Sequence, residues 1–419
     1  MNDTKTDMLT VLRNRDFLAL WLSQLISKIG DNFAVVAALV LINELAARTG
    51  LAVVALGMAV TIPQLFALAS GVFVDRFSRK GVMIATDLLR ALVILLPLLV
   101  TSSSHLYLLY LAAFLVMGLG AVYIPARNAS IPNMVPEDHL LTANALIQAT
   151  ELVSLIAGAS LATLVISLTS VATAFVVDAL TFVASALFLL AAHIPQGLPI
   201  PVPSAPRNEF RRFWEGFVEG MRYIAGNKHL LQLMAITTVA TLGLSATVLL
   251  AAAYFKQLLG ISAQYVGLLQ ATEGIGMALG AVLISTYASW ARSRQIVSVT
   301  MIVLGLGILA LAFSPRYWLV LIGALVVGLC VVSARTTLAA MTQALVPNSQ
   351  RGRVESAMVT VIGLGTMGAL IISGLLGDIV GPESVFVFTG LVVLAAGIAS
   401  IYALRGVEER LINGANGPE

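Results

Sequence analysis

GVFVDRFSRK, Gly71 to Lys80, is wedged between two long apolar runs and decides how the rest of the chain is read. A bilayer core about 30 Å thick is crossed by about 20 apolar residues in a helix, so a short charged stretch between two such runs is a turn between membrane helices. Gly71 lacks a side chain and lets another helix backbone come close. Asp75 supplies a negative acceptor at the membrane surface. Arg76, Arg79 and Lys80 mark that surface as the cytoplasmic one, where basic residues are in excess.

Composition extends this reading to the whole chain. Of 419 residues, 59% are hydrophobic and only 11% charged, with a mean hydropathy of +0.96, which excludes a soluble globular protein. The net charge of +3 follows from basic loops that orient helices, so nucleic acid is not an expected partner. The lone Cys330 excludes an internal disulfide and a thiolate metal cluster. His105, His139, His193 and His229 fall at span ends without metal-ligand spacing. Walker A, H-E-x-x-H and G-x-S-x-G patterns are lacking, so the chain reads as no enzyme and implies no cofactor. GLGTMG, Gly363 to Gly368, has the letters of a dinucleotide fingerprint but lies mid-way through an apolar run with no strand before it. It reads as a helix-packing face, as do Gly276 and Gly280.

Apolar windows fall at about 17–45, 51–74, 82–101, 106–126, 142–167 and 170–193, and again at about 229–255, 264–288, 295–314, 317–343, 354–378 and 383–405. The spacing predicts an all-α membrane protein of twelve transmembrane helices in two six-helix bundles. The first helix is expected to remain uncleaved, since further spans follow it. The expected organisation is an N-terminal bundle at 1–193, a cytoplasmic linker at 194–228, a C-terminal bundle at 229–405 and a cytoplasmic tail at 406–419. In the linker, a proline-rich spacer precedes NEFRRFWEGFVEGMRYIAGN, in which Phe210, Phe213, Trp214, Phe217, Met221 and Ile224 recur at helical spacing. This is the pattern of an amphipathic helix in the membrane interface. With the Gly71–Lys80 turn cytoplasmic, most of the basic residues fall on that side, and Arg48, Lys256 and Arg316 are left on the other. Both termini are then cytoplasmic.

The halves read as parallel repeats. Ala126-Arg127 followed by Val135-Pro136 matches Ala334-Arg335 followed by Val346-Pro347, which predicts that the fourth and tenth spans end alike. The loop from Ser289 to Arg294 is a degenerate copy of the opening stretch.

Ionisable residues at membrane depth are costly and are functional candidates by default. Gln24, Ser27, Lys28 and Asp31 share one face of the first span. Asp31 is either neutralised structurally by Lys28 or faces a cavity and binds a proton, a cationic substrate, or each in turn. Glu151 with Gln148 in the fifth span and Glu273 with Gln270 in the eighth lie at comparable depth, one acid from each half. If all these acids ionise, the site favours cations. The alternative for each acid is a hydrogen bond to a serine or threonine of a neighbouring helix. Asp87 and Arg90 form an i, i+3 pair close to the Asp75 turn and are assigned to that cluster.

The pattern G-x-x-x-D-R-x-x-R-K resembles the signature loop between the second and third helices of the major facilitator superfamily. With NRDFLALWLSQLISKIGDNF, Asn14 to Phe33, and YIPARNASIPNMVPEDHLLTANAL, it is similar to the bacterial drug-exporter branch that includes macrolide efflux proteins and the enterobactin exporter. Gly30-Asp31-Asn32 also resembles the lysophospholipid transporters. A monomer surrounded by lipid is expected, and the resemblance implies a secondary transporter in the bacterial plasma membrane, an exporter of amphipathic or lipophilic small molecules coupled to protons. It implies a conformational latch in which Asp75 caps the eleventh span near Val354, with Gly71, Arg76, Arg79, Lys80, Asp87, Arg90 and Arg127 around it. It also places the sixth span toward the lipid and away from the pathway, which makes Asp178 a weaker candidate than the other acids. Other readings are lysophospholipid flipping, siderophore export and a transport-inactive membrane sensor. Two features of related antiporters are missing: a mid-helix arginine in the fourth span, and a Gly-Pro in the fifth, where Ser154, Gly158 and Ala159 stand.

Overall fold

The computed structural model describes residues 10–46, 49–65, 77–195, 207–254, 260, 265–287, 293–314, 316–347 and 350–415. Gly71, Asp75, Arg76 and Arg292 lie outside them. The described residues are helical, without strands. A helix stands in each of the twelve apolar windows: α1 (Arg15–Leu45), α2 (Thr49–Leu65), α3 (Arg79–Val93), α4 (Leu106–Ser130), α5 (Leu140–Leu168) and α6 (Val171–Ala191) in the first half. After the amphipathic α7 (Arg207–Ala225) come α8 (Lys228–Tyr254), α9 (Val266–Tyr287), α10 (Ser293–Ala312), α11 (Tyr317–Leu345), α12 (Arg351–Val380) and α13 (Pro382–Ala403), and α14 (Arg405–Ala415) follows. Among the described residues, ten helical segments are long and apolar enough to cross a membrane, and Gly50–Gln64 within α2 is a shorter apolar helix.

By packing, the chain divides into two compact units. One comprises Met1–Ala47, Ala55–Ala205 and Ala263–Ala271, the other Arg48–Val54, Pro206–Ser262 and Thr272–Glu419. The first turns of α2 therefore belong to the second unit, and the first turns of α9 to the first. In the first unit α1 packs along α5 and α6, and α3 against α4 and α6. In the second, α10 packs against α13 and α11, and α8 against α12 and α13.

The helix ends explain much of the basic-residue pattern. The last four carbonyls of a helix lack intrahelical partners and carry the negative end of its dipole, which favours cations there. Arg79 Nη1 donates to Ala129 O at 2.7 Å. Lys80 Nζ donates to Leu190 O and Ala192 O, both at 2.8 Å, and closes the end of α6. In the second unit Arg351 Nη2 donates to Gln343 O at 3.1 Å, near the end of α11, and Arg294 bonds Ile401 O at 3.1 Å and Glu408 at 2.8 Å. Asn14 caps the start of α1, accepting from Asp16 N and Phe17 N.

The fourth and tenth spans end differently in detail. Pro132 lies in a 3-10 turn, Ile131–Asn133, that follows α4, whereas α11 meets no proline and runs on to Leu345. On α7, Ile224 is fully buried in a cluster with Leu230, Val354 and Ala357, which Phe217 and Met221 flank. Part of its apolar face thus meets protein at the start of α12, while Trp214 is 55% exposed.

Candidate functional site

In the first unit Lys28 stands between two acids. Its Nζ is 3.5 Å from Asp31 Oδ2, one turn on in α1, and 3.6 Å from Glu151 Oε1 of α5. Glu151 is 52% exposed at its side chain and Asp31 17%, so the trio runs from open to nearly enclosed space. Gln148, one turn before Glu151, is also exposed. The helices meet closely here. A Cβ on Gly158 would overlap the Ile29 carbonyl and Asn32. Asn32 Nδ2 donates to Lys28 O at 2.9 Å and across to Ser154 O at 3.1 Å. Gln24, two turns before Asp31, is buried, with neither side-chain polar atom hydrogen-bonded.

Asp87 and Arg90 of α3 form a second cluster inside the same unit. Asp87 accepts from Ser185 Oγ of α6 at 2.6 Å and lies 3.8 Å from Arg90 Nη1. Arg90 Nε donates to Val116 O of α4 at 3.2 Å. Its guanidinium sits 5.5 Å from the Tyr123 ring and 5.4 Å from the Phe182 ring, both within cation–π range. Gly120 makes the arrangement fit, since a Cβ there would overlap the guanidinium. An arginine from the third span thereby reaches the backbone of the fourth, which carries no mid-helix arginine of its own.

Asp178 lies on the inward face of the sixth span. It is fully buried on α6, turned toward Gly30 of α1. The reason is that α6 has two faces: Val176, Leu180, Val183, Leu187 and Leu190 are exposed, while Phe175, Asp178, Phe182, Ser185 and Leu189 are buried. This periodicity is legible in the sequence and was the available signal for Asp178, whereas the partners Ser185, Tyr123 and Phe182 of the Asp87–Arg90 pair carry none.

Arg127, at the end of α4, is buried and bonds Asn128 Oδ1 through Nε at 3.0 Å and Nη2 at 2.8 Å. Gln270 is buried, its Oε1 unbonded. In the second unit Glu273 is 9% exposed, and its backbone carbonyl lies over Gly328 of α11. Gly276 and Gly280 continue this crossing against the Leu325 and Leu329 backbone, as expected of a packing face. The GLGTMG stretch departs from that expectation. Nothing approaches Gly368, and Gly365 and Gly368 line an apolar cavity of about 290 Å³ with Val239, Phe388 and Thr389.

Residues 6–416 match the family model of the transmembrane secretion effectors. The chain belongs to that family. Among its relatives, macrolide efflux protein A of Streptococcus pyogenes is 24% identical over 394 residues, 91% of this chain and 94% of that protein. The putative bacilysin exporter BacE of Bacillus subtilis is 27% identical over 347 residues, 81% and 82% of the two chains. Among solved structures, a bacterial homologue of the iron transporter ferroportin in its inward-facing state aligns with a TM-score of 0.70 at 18% identity, covering 94% of this chain and 99% of that one. The nucleoside transporter NupG aligns with a TM-score of 0.73 at 14% identity, covering 93% and 99%. The fold is that of the major facilitator transporters. The chain is a multi-pass membrane transporter of this type and not an enzyme.

Proposed function

We propose that this transporter exports amphipathic or lipophilic small molecules from the bacterial cytoplasm across the plasma membrane by alternating access, driven by proton entry. The observation that carries the reading is Lys28 held between Asp31 and Glu151. With all three ionised the trio has one negative charge in excess. A proton on one acid removes that excess and leaves a neutral ion pair, so a proton and a cationic substrate compete for the same charge. Such competition is what exchange requires. One proton crossing 100 mV supplies about 2.3 kcal/mol. The efflux function named for the relatives supports the direction of transport. In this reading the termini are cytoplasmic, the working unit is a monomer, and its partners are the substrate, protons and membrane lipids.

Proton flux in liposomes containing the purified protein tests this, with ethidium and a macrolide as substrates. Substrate addition should release protons with the wild type, and Asp31→Asn should lower substrate-driven flux about tenfold or more, the loss of about 1.4 kcal/mol. Wild-type rates in Asp31→Asn, or substrate movement with no accompanying protons, would overturn the coupling.

A further inference from the structure

The buried face of α6 carries a carboxyl that the transport reading leaves unused. Asp178 Oδ1 lies 3.3 Å from the Thr181 hydroxyl, but that hydroxyl also donates to the Asp178 carbonyl at 2.7 Å, so little of it is left for the acid. Oδ2 is buried and meets no hydrogen-bond partner. Among the described residues Asp178 has no ion-pair partner, in contrast to Asp31, Asp87 and Glu151. Thr181 Oγ1 and Asp178 Oδ1 fill the place that a side chain on Gly30 would take. Since Gly30 precedes Asp31 in the chain, Asp178 rests on the turn of α1 that also bears Lys28 and Asp31.

The charged neighbours of Asp178 are few. From α1, Asp31 acts on it, and from α3, Arg90 does. Arg90 is already engaged by Asp87, Val116 and two aromatic rings. Lys28 of α1 and Glu151 of α5 pair with each other. The short turn Leu96–Leu99, which also touches α6, holds no titratable group. A buried carboxylate with one shared hydroxyl and no cation of its own is poorly compensated, whereas a carboxyl that keeps its proton has no charge to compensate.

We propose that Asp178 is a second proton site of the transport cycle, holding a proton on the buried side of Gly30 and exchanging it with the Asp31 carboxylate on the other. The transfer balances. One O–H bond breaks at Asp178 and one forms at Asp31, and the negative charge moves the opposite way. Two adjacent acids then share one proton, because two bare carboxylates against one helix turn repel each other. The cluster exposed at Glu151 is the side from which the pair loads.

This inference rests on the proton-coupled reading, and its test separates the two. Wild type, Asp178→Asn and Asp178→Glu are placed in liposomes of phosphatidylethanolamine and phosphatidylglycerol. Infrared difference spectra across a pH jump report the carbonyl stretch of a neutral carboxyl, and ethidium is followed both as gradient-driven efflux and as exchange without a gradient. The proton site predicts a neutral-carboxyl band that responds to pH in the wild type, is missing in Asp178→Asn and returns, shifted, in Asp178→Glu. Gradient-driven efflux should fall about tenfold or more in Asp178→Asn, while exchange stays near the wild-type rate. A purely structural role would lower both together, and that result overturns the proposal. So does a wild-type spectrum without the band. Should the wild type move no ethidium against a gradient, the export reading fails, and the band and its loss in Asp178→Asn still decide the proton site. If Asp178→Asn does not fold, Asp178→Glu carries the test, since a displaced band with gradient-driven efflux retained requires an acid at this position.

Discussion

Arg90 is a cation in an apolar bundle, held by groups from three helices: Asp87 on its own α3, the Val116 carbonyl and the Tyr123 ring on α4, and the Phe182 ring on α6. A buried charge is tolerated when an opposite charge, a carbonyl and aromatic faces surround it, and breaking a buried pair costs about 3–5 kcal/mol because one charge is left alone. Gly120→Ala should therefore destabilise the protein by about 1–3 kcal/mol, since the new methyl displaces a guanidinium that cannot swing freely. In an Arg90→Met background the same change should cost much less. Thermal unfolding of the two single variants and the double variant measures this coupling, and additive effects would contradict the packing described. The Asp87–Arg90 pair was legible from its i, i+3 spacing. Its surroundings were not, because Ser185 lies 98 positions away from Asp87 in the chain, and local spacing attaches the pair to the nearer Asp75, which lies outside the described residues. Asp31 and Lys28 were legible as a pair for the same local reason, while the contact with Glu151 depends on how α1 crosses α5.

At the scale of elements, the start of α2 is fastened by a carboxylate from α12. Asp378 accepts from Gly50 N at 2.9 Å through Oδ1 and from Leu51 N at 3.0 Å through Oδ2. Both are first-turn amides with no partner inside their helix. Gly50 and Gly374 let the two backbones approach, since a Cβ on Gly50 would overlap the Gly374 carbonyl. Asp378→Ala should cost about 1 kcal/mol, as the loss of an N-terminal cap does, and speed deuterium uptake at Gly50 and Leu51. Asp378→Asn, which keeps an acceptor, should fall between. Unchanged exchange at those two amides in Asp378→Ala would mean that the carboxylate is not what protects them. Periodicity predicts the amphipathic α7, and its apolar stripe holds the buried Ile224 with the partly buried Phe217 and Met221. Periodicity does not say what covers a stripe, and here the start of α12 takes part of it. The Glu219–Arg353 ion pair beside that contact is about half exposed, and exposed pairs contribute about 0–1 kcal/mol, so the apolar stripe holds α7 in place.

The whole molecule is divided less cleanly than its hydropathy suggests. Twelve windows, and the break at 194–228, predict two halves that follow one another in the chain. The compact units instead exchange short pieces: 48–54 goes to the second unit and 263–271 to the first. The exchanged pieces make specific contacts. Gly50 and Leu51 bond Asp378, and Gly267 packs so closely on Ala159 and Thr163 of α5 that a Cβ would overlap them. A fragment of residues 1–205 would keep α5 without the helix start that covers Ala159 and Thr163. A fragment of residues 206–419 would keep Asp378 without the amides it caps. Each fragment expressed alone should therefore melt at a lower temperature than the full chain and be cut sooner by protease. Co-expression should restore both properties, because the missing contacts need proximity and not covalent linkage. Fluorescence-detected gel filtration after a heating series measures this on crude membranes. If either fragment alone proved as heat-resistant as the full chain, the exchanged segments would contribute nothing to its stability. Hydropathy had no access to this exchange, since it records which residues avoid water and is silent on which helix start a given carboxylate or glycine will meet.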